Sequence, residues 1–105
     1  MTLIFKMSEF GTFLGDSTKA ISFFRSSVRP AIEKNETIEF DFNGVRSMNS
    51  SFSNALFANI YGIYGDAAIS KIKYRNCNEL TKLLVQSAFQ IGLDRYAETH
   101  KQKQS

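Results

Sequence analysis

A chain of 105 residues has the length of a single domain, and 43% hydrophobic residues with ten Phe and four Tyr exclude a disordered or fibrous class. The net charge of +3 sits at one end: residues 95–105 hold three bases against one acid, leaving 10 bases and 9 acids in the body. A nearly neutral body without a basic stripe argues against nucleic acid as a partner, because phosphate contacts supply most of that affinity.

In chain order, TLIFKM at residues 2–7 is a short β-like run. Gly11 and Gly15 then allow a turn or a second short strand. From Asp16 the apolar period lengthens. Ala20, Ile21, Phe24, Val28, Ala31 and Ile32 recur at steps of three and four, which predicts one helical face with Asp16 or Ser17 as its cap. Pro30 removes a backbone donor and clashes one turn back, so a kink or early stop is expected there. A separate turn would then run through Ala31 to Asn35. ETIEFDF, residues 36–42, alternates and ends at Asn43-Gly44, a strand closed by a turn. Ser50 to Tyr64 predicts a helix ending near Gly62 to Gly65, and Ala68 to Arg75 a third strand. Asn78 and Glu79 open a last helix with Leu80, Leu83, Leu84, Ala88 and Ile91 as its buried face, widened by Val85 and Phe89. The expected domain is residues 1–94, followed by a polar, frayed tail at 95–105. Strands alternating with helices indicate an α/β fold with a mainly parallel or mixed sheet.

The inventory of reactive groups is thin. His100, the one histidine, lies in the tail, and Cys77 is the one cysteine, so nucleophile–base systems and ordinary zinc sites lack their parts. Gly11 to Gly15 lacks the Lys and hydroxyl that complete a phosphate-cradling loop. No cofactor or metal and no enzymatic activity is expected. No apolar run approaches the ~20 residues of a membrane span, and no basic-then-apolar leader opens the chain. The expected setting is cytoplasmic and soluble, with no membrane partner.

One junction stands out. Asn49-Ser50-Ser51-Phe52 offers three adjacent caps where a helix needs one. A phosphate on a spare hydroxyl would add about −1.5 to −2 charges at the favourable end of a helix dipole. Ser51 and Ser50 are therefore phosphorylation candidates. Along the helix, Phe52, Leu56, Ile60 and Ile63 share the face expected to cover the sheet, while Phe57, Tyr61 and Tyr64 form a flank. That flank is equally readable as deeper core or as a contact surface for a partner or a second copy. Asp41, Asn43 and Gly44 form a candidate ligand loop beyond the end of a strand, where small ligands or nucleotides sit in open α/β sheets.

The order strand, Asp41-Phe42-Asn43-Gly44-Val45, short loop, Ser51-Phe52, apolar helix resembles the STAS-like domains of unknown function, relatives of the STAS domain of anti-sigma factor antagonists. Gly11 to Gly15 and Ile72 to Asn76 are similar to the same pattern, and the resemblance covers roughly residues 10 to 92. It implies a small α/β sandwich of about four strands and about three helices that binds a protein partner. In the antagonists, a serine at this helix start is phosphorylated by a kinase of the histidine-kinase-like ATPase fold, which blocks binding to that kinase. By position that serine is Ser51, next to Ser50. Asn49 stands where those antagonists have an acid, and Phe52 where they have a glycine. The expected function is a non-catalytic regulatory or adaptor role in signalling, with Asn49, Ser51, Phe52, Asn54, Phe57, Tyr61 and Tyr64 as partner contacts. The alternatives are a homodimerising structural module through the flank, or a nucleotide or small-ligand domain at the Asp41 loop.

Overall fold

A computed structural model of the chain describes residues 1–101, the last without its side chain. The end of the predicted tail, residues 102–105, lies outside the described residues. Strand β1 (Thr2–Lys6) turns Leu3 and Phe5 inward and leaves Ile4 exposed. A 3-10 turn, Met7–Phe10, drops Met7 into the core, and Gly11 with φ of 110° redirects the chain to β2 (Phe13–Leu14). Helix α1 then runs over residues 17–33, with Asp16 as its cap: Oδ1 accepts the N–H of Thr18 at 3.0 Å and of Lys19 at 3.3 Å.

Pro30 does not stop this helix. The chain widens into a π turn at Phe24–Val28, with the Arg29 N–H bonding to the Phe24 carbonyl, and continues as regular helix over Arg29–Glu33. Pro30 sits in the first turn of that last stretch, where a missing N–H costs little. The helix ends at Glu33 with Lys34 as its cap, and Asn35 just beyond, with a left-handed φ of 63°, turns the chain toward β3.

Strand β3 (Thr37–Asp41) is central. It pairs in parallel with β1, from Thr2 opposite Thr37 to Lys6 opposite Asp41, and with β5 (Ile72–Arg75), from Ile38 opposite Ile72 to Asp41 opposite Arg75. A second, two-residue ladder joins β2 to β4 (Ser47–Met48), a strand too short to read in the sequence. Helix α2, residues 50–64, also carries a π turn, at Asn54–Ala58, and ends at Gly65 with φ of 57°.

The strand predicted to begin at Ala68 begins at Ile72. Residues Asp66–Ile69 instead form a short helix, α3, which buries Ala68. Helix α4 (Glu79–Lys101) starts on an Asn78 cap that accepts the Thr81 N–H at 2.8 Å. It passes residue 94, where the sequence places a fraying tail, because Tyr96 lays its ring on Gly65.

The fold is α/β, as expected, with five strands and four helices among the described residues, close to the expected four or so and three or so. The pairings among those residues are parallel, in keeping with the mainly parallel sheet expected. Leu3, Phe5, Ile38, Phe40, Ile72 and Tyr74 share the inner face of the main sheet, and Phe40 meets Phe57 of α2 edge-on at 5.2 Å. The outer face carries Thr2, Ile4, Lys6, Thr37, Glu39, Asp41, Lys73 and Arg75, and no helix of the described residues lies over it. Helices α1 and α2 cover the inner face, and α4 packs on α2.

The face of α4 is partly the predicted one. Val85 and Ala88 are buried as expected, but Leu80 and Leu83 are exposed, and Thr81 and Gly92 complete the seat in their place. A Cβ on Gly92 would lie 2.7 Å from the Ala58 carbonyl oxygen and from Tyr61 Cβ, so small side chains let the two helices close up. Apolar bulk alone points to the leucines; the interhelical distance selects the small residues.

Candidate functional site

The helix start singled out in the sequence is built around Asn49. Its backbone N–H donates to the Leu14 carbonyl at 3.0 Å, tying the end of β4 to β2. Its side-chain oxygen accepts the Phe52 N–H at 2.9 Å, and its Nδ2 donates to the Gly15 carbonyl at 3.2 Å. One amide thus caps α2 and fastens it to the turn that leads into α1. With the cap supplied by Asn49, Ser50 and Ser51 are released from that duty, and both are exposed. Phe52 points inward, 1% exposed, with its ring 5.8 Å from that of Phe10, so it does not cover Ser51. Ser53 is fully buried and donates its hydroxyl to the Leu84 carbonyl at 2.9 Å, locking α2 to α4.

Beside the serines, residues of β2 and the start of α1 line a shallow hollow shared by Phe10, Phe13, Gly15, Asp16, Lys19 and Phe52. Phe13 is 56% exposed, its ring lying over Gly15, where a Cβ would collide with it. Sequence reasoning missed Phe13, since a two-residue strand shows no period. The one usable signal was an aromatic two positions before a glycine.

The predicted partner flank resolves into core. Phe57 and Tyr61 are 0% and 2% exposed and, like Phe52, are out of reach of a partner or a second copy. The physical reason is the π turn at Asn54–Ala58, which takes up an extra residue and rotates the rest of α2 relative to a 100° wheel. The same rotation leaves Ile63, assigned to the sheet-covering face, largely exposed. Asn54 is half-buried near the helix start. Tyr64 is half-buried and donates to Glu33 Oε2 at 3.2 Å, but it lies thirteen residues from Ser51, about 20 Å along the helix.

The Asp41 loop is a tie. Asp41 Oδ1 accepts the Asn43 N–H at 2.9 Å and Asn76 Nδ2 at 2.8 Å, joining the loops that follow β3 and β5. Those bonds, from Asn76 first, with Arg75 and Lys6 behind them, hold the carboxyl below its usual range. Gly44 turns with φ of 88°. The strand order β1-β3-β5 advances one way with its helices on one face, so these strand ends lack the reversal that opens a ligand crevice in doubly wound sheets. Among the described residues, no three His, Cys, Asp or Glu side chains gather where a metal ion would fit, and no helix is long and apolar enough to cross a membrane. Cys77 is half-buried, and burial pushes its thiol pKa up, the behaviour of a packed side chain rather than a reactive one.

The family described as a STAS-like domain of unknown function matches residues 19–82, more than half of the chain. The chain belongs to that family. The matched part of this STAS-like domain runs from α1 to the first turn of α4 and includes β3, β4, the Asn49 cap and both serines. Phe13 and most of α4 lie outside it. No curated protein and no solved structure matches the chain.

Proposed function

We propose that this STAS-like domain is a non-catalytic regulatory or adaptor module whose protein partner reads the start of α2. One observation carries the reading: Asn49 caps the helix while Ser50 and Ser51 stand exposed on its first turn. The neighbouring Phe13 ring adds an apolar anchor of the kind that dominates interface energetics. A phosphate on Ser51 would sit at the amide end of α2, where the fold tolerates it, and would reverse the local surface character from neutral to anionic. The resemblance to anti-sigma factor antagonists suggests a histidine-kinase-like ATPase as the partner.

Co-purification from native cells followed by intact-mass and peptide analysis tests association and modification together. The expected outcome is a defined partner whose binding to Ser51→Asp and to Phe13→Ala falls by about tenfold or more. Ser87→Asp on the exposed side of α4 serves as the remote control. Equal effects of Ser51→Asp and Ser87→Asp would remove the switch.

A further inference from the structure

A second hollow, about 290 Å³, opens between the edge strand β5, α3 and α4. Its walls are the apolar side chains of Ile72, Val85 and Phe89, and its polar groups converge from two sides. Tyr61 and Tyr74 meet there hydroxyl to hydroxyl at 2.7 Å. Two phenols hold two protons, and a single bond between them uses one. The other proton needs an acceptor that neither tyrosine supplies. Burial raises the pKa of both phenols, Tyr74 well above its ordinary value, so the pair stays protonated and remains a donor at neutral pH. Lys82 stands exposed at the rim. Its charge reaches the hollow, drawing the Cys77 thiol pKa down against the larger, opposite effect of burial.

We propose that this hollow binds a small, flat apolar carboxylate, with its hydrocarbon part between Ile72, Val85 and Phe89 and its oxygens on the tyrosine pair and toward Lys82. The volume lies at the lower end of ligand pockets, which limits the occupant to roughly one ring. The Gln86 amide in the lining can face either sign, but Lys82 brings the only charge among the lining side chains, and that cation repels an amine and attracts an acid.

The test is a titration of the isotopically labelled full chain with benzoate, followed by NMR, with benzylamine and benzamide as comparators. Benzoate is expected to saturate with a Kd of about 1 mM or tighter. Its shifts should be concentrated at Tyr74, Val85 and Phe89, with benzylamine at least tenfold weaker and benzamide intermediate. Lys82→Gln, at an exposed position that leaves the fold intact, should weaken benzoate severalfold and leave benzamide unchanged. Tyr74→Phe should weaken both acceptor probes. Three results overturn the proposal: no saturable shift at these residues, benzylamine binding as tightly as benzoate, or shifts there that follow protein concentration without any probe. The last would assign the hollow to self-association.

Discussion

Asn49 spreads two tasks over two atoms, Oδ1 accepting from the helix amide and Nδ2 donating to a carbonyl 34 residues away in the chain, whereas a serine is shorter and would have to meet both partners with one oxygen. Replacing it separates the two. Asn49→Ala should cost about 2 kcal/mol, roughly one for the cap and one for the lost bond to Gly15. Asn49→Ser keeps the cap and should cost about half of that. Urea unfolding of both variants, read at unchanged m-value, checks the ratio. The sequence marked this junction correctly as over-supplied with caps, yet it could not say which of Asn49, Ser50 and Ser51 was used. The deciding partner is the Gly15 carbonyl, which only the β2–β4 ladder brings alongside. Asp41 and Asn76 illustrate the same limit: each reads locally as a turn residue, and their bond across 35 positions is tertiary.

At the level of elements, the readable parts were those with a regular period and a local cap. β3, with its alternation from Thr37 to Asp41, and the start of α1 at Asp16 agree with their prediction. The errors cluster where the period breaks. Both long inner helices contain π turns, and a wheel advanced at a constant 100° drifts out of phase past them, which is why Tyr61 looked like a flank and Ile63 like core. In α4 the error has another source, because close approach to α2 favours small residues over large ones. This gives a paired prediction. Gly92→Ala should destabilise by about 1–3 kcal/mol, since its Cβ would be forced against the backbone of α2, outweighing the gain of about 1 kcal/mol in helix propensity. Gly62→Ala, whose nearest neighbours would be 3.7 Å away, should be neutral or stabilise by up to about 1 kcal/mol. Thermal unfolding of the two variants should therefore move in opposite directions.

Over the whole molecule, the core is a continuous run of aromatic contacts from Phe10 through Phe23, Phe5 and Phe40 to Tyr74, and the buried phenol pair closes its far end. Folding holds Tyr74 protonated above its ordinary pKa of 10, and Tyr61 likewise, so their contribution is complete below pH 10. Above pH 10 the unfolded chain releases these protons first, and stability falls as pH rises toward the folded values. Tyr74→Phe should flatten that alkaline decline relative to the native protein, as measured by denaturant midpoints between neutral and strongly alkaline pH. The alternation of β3 also carried a message about the whole. Strands of parallel sheets covered on both faces are continuously apolar. Thr37, Glu39 and Asp41 instead signal one uncovered face, and there Glu39 meets Arg75 at 3.6 Å. That face lies opposite the helices, away from both the start of α2 and the hollow beside β5. Lys6 and Lys73 on it are accordingly the places to tether the domain to a sensor chip or attach a dye, leaving both proposed recognition areas turned toward the analyte.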